Sequence, residues 1–345
     1  MKLKLQLFVF IFLICLYNSS AQDFITIWDL SLNAGSGTDI IYFNTTIAAG
    51  DANYTWQEIS PGNSSGSGTF TQRTNSPVAI TGLPYHGKIR LSIVSTNLQK
   101  FAIGGFDSKR LVDVESWGSA NWTSMSDAFY GCTNLNITAL DVPNLSGVNN
   151  MNQMFTYCSS LNGPSNINTW NTSSVKYMQN IFGSALAFNQ NIDGWNTASV
   201  LDMAGMFNNA SAFNKDLNSW NTASVTNMGS MFYGATSFNG NIGGWNIGAV
   251  TNMNSMLRNA TSFNQNIGSW ILSSLTNMAY FLNGATTFNQ YIGGWNTTTV
   301  ADMTSMFKGA ISFNQDISAW NTANTTNMGE MFNGASAFNQ NLGSW

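Results

Sequence analysis

A repeat of 25 residues is the feature that most constrains how this chain can fold. Eight tryptophans recur at this interval without exception: Trp170, Trp195, Trp220, Trp245, Trp270, Trp295, Trp320 and Trp345. Within the unit that starts at Trp220, the fixed apolar residues are Val225, Met228, Met231, Phe232, Ala235, Phe238 and Ile242. A unit this short cannot bury its apolar side alone, so each unit must pack on its neighbours.

The repeats begin before the spacing becomes exact. Met125, Met151 and Met178 occupy the position of Met228 at intervals of 26 and 27 residues, which gives nine units in total. The last unit ends at Trp345 with its apolar interior uncovered, and repeat arrays need a covering element at each end. We therefore expect an array that is truncated at its C-terminus.

Each unit changes from a helical to an extended pattern. The apolar residues from Met228 to Ala235 follow i, i+3, i+4 and i+7, the spacing of one face of a short helix or 3₁₀ turn. From Phe238 to Trp245 the pattern favours a short strand, with Ile242 inward and Asn241 outward. One strand and one helical turn in each unit predict a leucine-rich-repeat solenoid with a parallel sheet along one face.

Three segments carry a resemblance to a known family. Trp195–Val200, Asn227–Phe232 and the entry segment Trp122–Leu135 resemble the repeats of BspA-like leucine-rich-repeat surface proteins, over residues 117–345. The resemblance implies a right-handed coil with a parallel β-sheet and short helical turns. It also implies a secreted or cell-surface bacterial protein from a family linked to adhesion and to host or matrix binding. It implies no particular ligand.

The N-terminal third lacks the repeat. Residues 1–21 read as a signal peptide, because Lys2 and Lys4 precede a short apolar run and small residues end at Ala21, where we expect cleavage. The mature chain would then be secreted, with no membrane span. Residues 22–112 contain alternating stretches such as Lys88–Val94, which predict a small all-β domain that caps the array at 113–345.

Two polar or aromatic columns each allow two interpretations. An asparagine recurs as Asn189, Asn214, Asn239, Asn264, Asn289, Asn314 and Asn339. It forms either a ligand-binding ladder or, as we favour, a stack of amides that satisfies backbone groups in turns. The tryptophans form either an exposed platform for sugars or, as we favour, a packed stack. Cys132 and Cys158 are 26 residues apart and form either a disulfide or, as we favour, two buried small residues.

The composition argues against catalysis and against nucleic acid. Charged residues make up 8% of the chain and the net charge is −4, so no basic patch exists to neutralise phosphates. The single histidine, His86, lies in a turn without a nucleophile motif nearby. Asp202 and Asp302 share a repeat position but lie four units apart, roughly 19 Å at strand spacing. A glycosidase needs carboxylates about 5 to 10 Å apart. We therefore predict no enzyme activity, no cofactor and no metal site.

Two functions of different classes remain, besides a purely structural role as a surface-layer component. The first is a non-enzymatic, adhesin-like binding protein that presents a polar sheet face to an extracellular glycan or protein ligand. The alternative is the targeting region of an extracellular hydrolase whose catalytic domain lies outside this chain. The candidate ligand face is the column Asn191, Asp216, Asn241, Asn266, Tyr291, Asp316 and Asn341. These residues vary, but all of them can form hydrogen bonds, and they could equally serve only to keep the surface soluble.

Overall fold

The computed structural model describes residues 22–32, 37, 39–71, 77–103 and 107–345. Within these ranges 3₁₀ turns lie at Ser95–Asn97 and Ile167–Thr169. The strands are β1 (Phe24–Asp29), β2 (Ile40–Ile47), β3 (Asp51–Ser60), β4 (Ser65–Thr71), β5 (Val78–Thr81), β6 (Lys88–Ile93), β7 (Leu98–Ala102), β8 (Leu111–Ser116) and β9 (Asn136–Ile137). We call residues 22–116 the β domain and residues 117–345 the repeat region.

The strands form two sheets that pack face to face. One sheet has the order β4-β3-β6-β1-β8-β9 and the other the order β5-β2-β7. All pairs are antiparallel except β8 with β9, which is parallel. Rings from the two sheets meet between them: Phe24 lies 5.1 Å from Phe101, and Phe43 lies 6.0 Å from Phe70. The alternation in the sequence of β6 follows from this packing, because Ile89, Leu91 and Ile93 all point into the core.

Two glycines in β4 make room for aromatic rings on the neighbouring strand. Gly66 pairs with Trp56 and Gly68 pairs with Tyr54 across β3 and β4. A Cβ atom on Gly66 would lie 2.6 Å from Nε1 of Trp56, so the indole covers the glycine backbone directly. The rings pack over β4, which would otherwise be destabilised because glycines within a strand offer no side chains for packing.

The core of the β domain continues into the first repeat. Phe101 contacts Phe129 with ring centroids 6.0 Å apart, and the amide of Ile103 donates to the carbonyl of Ala128 at 3.0 Å. β9 belongs to the first repeat and extends the larger sheet by pairing with β8. The β domain therefore covers the apolar end of the first repeat. The division of the chain at residue 112 stays a prediction, and β8 spans it.

Successive repeats lie against each other and exchange backbone hydrogen bonds. In one repeat, alternate amides donate to the next repeat: Met228 to Asn252, Ser230 to Asn254, Phe232 to Met256, and Gly234 to Arg258. The amides between them bond within their own repeat, as Met231 does to Met228. Parallel pairing is limited to isolated bridges at one residue in each repeat, such as Asn227 with Asn252.

The interior of the repeat region consists of stacked aromatic and methionine side chains. Phe207 stacks on Phe232 at 5.4 Å, and Phe213 stacks on Phe238 at 5.9 Å. Met228 and Met231 are completely buried beside them. Because the repeats place similar apolar side chains at equivalent positions, the core repeats itself along the array.

The predicted leucine-rich-repeat solenoid is wrong. Within the described residues of the repeat region the backbone contains no α-helix, and the only named strand there is the two-residue β9. The predicted helical segment is a run of turns, and the predicted strand from Phe238 to Trp245 is irregular. The regular secondary structure of the described residues is instead almost entirely β, in the two sheets formed by β1 to β9.

The error has a physical origin in the backbone of the turns. Two positions in each repeat, four residues apart, have positive φ, as at Ser230 (φ 55°) and Gly234 (φ 67°). An α-helix requires negative φ throughout, so these residues break it. The turns around these two residues still bury Met228, Met231, Phe232 and Ala235, at i, i+3, i+4 and i+7, which is the spacing that is typical of a helix.

The predicted signal peptide at 1–21 lies outside the described residues. Among the residues that the structure does describe, no helical segment has the length and apolarity needed to cross a bilayer.

Candidate functional site

The seven residues of the predicted ligand face are all exposed, but they do not lie on a strand. We call this set the turn column; it comprises Asn191, Asp216, Asn241, Asn266, Tyr291, Asp316 and Asn341. The residues lie in irregular backbone just before a turn at each repeat. The prediction that Asn241 points outward from a parallel sheet is therefore wrong, although the same position recurs on the surface of every repeat.

Most side chains of the turn column hold their own turn. The Oδ1 atom of Asn241 accepts a hydrogen bond from the amide of Gly243 at 2.9 Å, and Asn266 does the same for Gly268. Asn191, Asp316 and Asn341 form the equivalent bond to the residue two positions on. Such short side-chain turns are characteristic of Asn and Asp. The acceptor atom is thus occupied, and the amide nitrogen of the asparagines is the group left for a ligand.

Asp316 is charged when it closes its turn. The amide and the hydroxyl of Ser318 donate to its carboxylate and hold its pKa below the ordinary value of 3.8. Asp216 differs, because its carboxylate accepts from the amide of Asn241 in the next repeat at 2.8 Å. The column therefore contains two carboxylates, separated by four repeats.

Tyr291 is the aromatic member of the turn column, and 59% of its surface is exposed. Its ring lies over the glycine turn that follows, because a Cβ atom on Gly293 would be 2.9 Å from Cε2 and 3.0 Å from the hydroxyl oxygen. Because Gly293 has no side chain, the ring can lie against the backbone of the turn, and much of the ring surface is exposed to solvent. An exposed ring flanked by the hydrogen-bonding side chains of Asn266 and Asp316 is an arrangement suited to a sugar.

The asparagine column forms a structural ladder. Each amide oxygen accepts the backbone N–H of the asparagine one repeat later, as from Asn264 to Asn239 and from Asn289 to Asn264 at 2.9 and 3.0 Å. Glutamines add a second bond, such as Gln265 to Asn239 at 3.1 Å. The favoured structural interpretation of this column is confirmed. Its oxygens are engaged in holding successive repeats together.

The tryptophan column is buried from Trp170 to Trp320, and Trp345 is partly buried. Trp220 stacks on Trp245 with ring centroids 6.3 Å apart and an angle of 1° between the planes. The indole N–H of Trp245 donates to the carbonyl of Leu217 at 2.8 Å, and the tryptophans from 195 to 345 repeat this bond. The interpretation as packing is confirmed, so these indoles are not a platform for sugars.

Cys132 and Cys158 are free and completely buried. The thiol of Cys158 donates to the carbonyl of Phe129 at 3.0 Å. Burial raises the pKa of both thiols, which keeps them protonated and unreactive. The favoured interpretation as two buried small residues is confirmed.

The acidic residues and the histidine do not converge on a common centre. Asp202 and Asp302 lie in the column of isolated bridges, where each accepts the amide two residues on at 2.8 and 2.9 Å. His86 lies with its ring 4.1 Å from that of Tyr85. In the part of the chain that the structure describes, no group of three or more His, Cys, Asp or Glu residues is placed to hold a metal ion.

Two features were missed by the sequence analysis. A shallow groove of about 480 Å³ lies on the β domain, lined by side chains that include Gln57, Asn63 and Arg90. In the repeat region, Arg258 lies over the rings of Tyr233 and Tyr280. The second feature had a signal in the sequence, since Tyr233 and Arg258 share a repeat position. The groove had none, because it depends on how distant strands pair.

Comparison with known proteins identifies a different family from the one the motifs resemble. No curated protein and no solved structure matches the chain significantly. The profile described as "Mycoplasma protein of unknown function, DUF285" matches residues 123–241, 191–290 and 261–345, and no leucine-rich-repeat or BspA profile matches. The resemblance to BspA-like proteins is therefore wrong, because a short apolar period specifies stacked repeats without specifying their family. Since the matches cover more than half of the sequence, the chain belongs to the DUF285 family.

Proposed function

We propose that this protein is a non-enzymatic binding protein, secreted or displayed on the cell surface, that binds a neutral glycan at the turn column around Tyr291. The exposed ring of Tyr291 is the observation that carries the proposal, since it is the only aromatic residue among the seven positions of the column. A ring face binds the apolar side of a sugar, while neighbouring amides and carboxylates bind its hydroxyls.

The neighbours of Tyr291 supply complementary groups. Asn266, one repeat before it, has its oxygen engaged by Gly268, so its amide nitrogen remains as the donor for a ligand. Asp316, one repeat after it, keeps a negatively charged acceptor on the surface. Both side chains are held by their own turns, which reduces the entropy that binding would cost.

Secretion is supported by the sequence of residues 1–21 alone. A positively charged start, a short apolar run and small residues before Gln22 are typical of a signal peptide. Placement outside the cell fits a surface that is rich in amides and poor in charge, because such a surface suits polar polymers better than charged partners.

The test uses the full chain and a panel of neutral oligosaccharides built from glucose, galactose, mannose and N-acetylglucosamine. Tyr291→Ala should weaken binding of the recognised sugar at least tenfold without shifting the melting temperature, because the exposed ring contributes little to folding. Tyr157→Ala, at another exposed tyrosine of the repeat region, is the matched control and should bind normally.

The flanking residues need substitutions that spare their turns. Asn266→Asp keeps the oxygen that Gly268 requires and replaces the amide donor with a charged acceptor, whereas Asp316→Asn keeps the oxygen and replaces the charged acceptor with an amide donor. Each should weaken binding severalfold. Unchanged affinity in Tyr291→Ala would refute the site and direct the search to the groove on the β domain.

A further inference from the structure

Arg258 and the two tyrosines that enclose it form an unusual cluster in the repeat region. The guanidinium carbon lies 5.5 Å from the ring centroid of Tyr233 and 5.0 Å from that of Tyr280. Tyr233 belongs to the preceding repeat and Tyr280 to the following one, so the cation is held between two aromatic rings. Both rings attract it through their negative faces.

The cation has no acidic partner among the described residues. Arg258 forms no ion pair with any of them, whereas Lys308, two repeats on in the same column, is paired with Glu330 at 2.5 Å. The Nε atom of Arg258 is buried and has no hydrogen-bond partner within the same described part of the chain. With Nε enclosed, the two outer nitrogens of the guanidinium form the part of the group that can bind another molecule.

Tyr280 occupies a backbone conformation that a tyrosine rarely adopts. Its φ is 59°, at the position where neighbouring repeats have Ser255 and Ser305. The fold imposes a positive φ on this position in every repeat, so what distinguishes this repeat is the residue type. The tyrosine places a ring against Arg258 that a serine would not supply.

We propose that Arg258, Tyr233 and Tyr280 form a second binding site, distinct from the turn column, that takes the carboxylate of an acidic polysaccharide. The planar guanidinium binds a carboxylate through two parallel hydrogen bonds, for which its rigid fork is suited. The tyrosine rings on either side offer surfaces for the sugar that carries the carboxylate.

The first experiment measures binding of a galacturonic acid oligomer to the full chain by calorimetry, with a neutral galactose oligomer as the ligand control. Arg258→Met should weaken binding of the acidic oligomer at least tenfold, because methionine fills the space between the rings without charge or donors. Arg258→Lys should bind the acidic oligomer with an affinity between those of the parent protein and Arg258→Met, because lysine keeps the charge and lacks the planar guanidinium.

The matched control is Lys215→Gln, which makes the same change in net charge at a different position in the repeat. It should bind like the parent protein. If Lys215→Gln weakens binding as much as Arg258→Met, the interaction depends on overall charge and the site is refuted. Absence of binding by the parent protein would also refute it, and tighter binding of a poly-glutamate peptide than of the uronate would replace the glycan with an acidic protein partner.

This test is separate from that of the turn column. Tyr291→Ala should leave binding of the acidic oligomer unchanged, and Arg258→Met should leave binding of a neutral sugar unchanged. Thermal melts of all variants establish that each is folded.

Discussion

The β domain and the repeat region satisfy their backbone groups in different ways. In the β domain, strands that are distant in sequence pair with each other; β1, for example, pairs with both β6 and β8. In the repeat region, the backbone bonds either stay within one repeat or join residues about one repeat apart, as Met228 bonds to Asn252. The first region depends on all of its strands at once, whereas each repeat depends on its two neighbours.

This difference predicts how far the loss of stability extends from a core substitution. Removal of one core residue from the β domain affects a single core that both sheets share. Removal of one from the repeat region affects the stack locally, because stability there is close to a sum over repeats and their interfaces. Three changes test this contrast, in order of decreasing effect.

Phe238→Ala should have the largest effect. The ring is completely buried and contacts Phe213, Phe232 and Phe263 at 5.9, 3.9 and 5.8 Å. Loss of a buried phenylalanine ring costs about 3 to 5 kcal/mol. Denaturant unfolding should show this loss, and hydrogen exchange should show that protection falls mainly in the repeats next to Phe238.

The comparison variant is Phe43→Ala in the β domain, where the ring contacts Trp28, Phe70 and Phe101. It should reduce protection across both sheets rather than locally. Equal loss of protection throughout the chain in Phe238→Ala would contradict the local model, and a change below about 1 kcal/mol would mean that the ring is not buried as described.

The two regions also differ in how far the sequence predicts them. In the repeat region the period, the buried positions from Met228 to Ile242 and the asparagine ladder follow from the pattern, because each residue's surroundings are copies of its own repeat. The backbone conformation between these positions cannot be predicted from the pattern, because the left-handed residues Ser230 and Gly234 leave the apolar spacing of a helix unchanged. The one sequence signal of this backbone is the recurrence of glycine and asparagine in the column of Gly234, because both residue types adopt positive φ readily.

The sites follow the same division. The exposure of the turn column could be predicted from its variability, but its role in closing turns required the positions of Gly243 and Gly268. The cluster at Arg258 depends on a tyrosine of the following repeat, three positions earlier in the unit, that packing places beside it. In the β domain, alternation predicts the buried face of β6, while the order of strands and the groove depend on pairings that leave no local signal.

A comparison of Trp245→Phe with Trp170→Phe tests the junction, the place where the β domain meets the repeat region. The indole N–H of Trp245 donates to Leu217, but that of Trp170, which contacts Trp117 of the junction at 5.4 Å, is buried without a partner among the described residues. Both substitutions lose similar packing. Trp245→Phe also loses a hydrogen bond worth about 0.5 to 1.5 kcal/mol, whereas Trp170→Phe removes an unsatisfied donor.

The expected difference is at least about 1 kcal/mol, with Trp245→Phe the less stable variant. Thermal and denaturant melts of the two single variants measure it directly. If Trp170→Phe is the more destabilised, the junction is held by a bond to Trp170 that the described packing does not contain.

The smallest effect expected is a difference in acid sensitivity between the regions. In each of them a carboxylate closes a turn: Glu58 in the β domain accepts from the hydroxyl and amide of Ser64 and the amide of Gly62, and Asp316 accepts from Ser318. These hydrogen bonds lower both pKa values, from ordinary values of 4.5 for Glu58 and 3.8 for Asp316.

A carboxylate whose pKa is lowered by folding stabilises the protein above its unfolded pKa, and this contribution is lost as the pH falls through the folded value. The β domain should therefore begin to weaken below about pH 4.5 and the repeat around Asp316 below about pH 3.8, as hydrogen exchange measured between pH 5 and 3 would show. Glu58→Gln should reduce the pH dependence of hydrogen exchange in the β domain alone. Asp316→Asn should reduce it in the repeat around residue 316 alone. If either variant reduced it in both places, acid would act on the two regions as one unit, and the contrast between them would not hold.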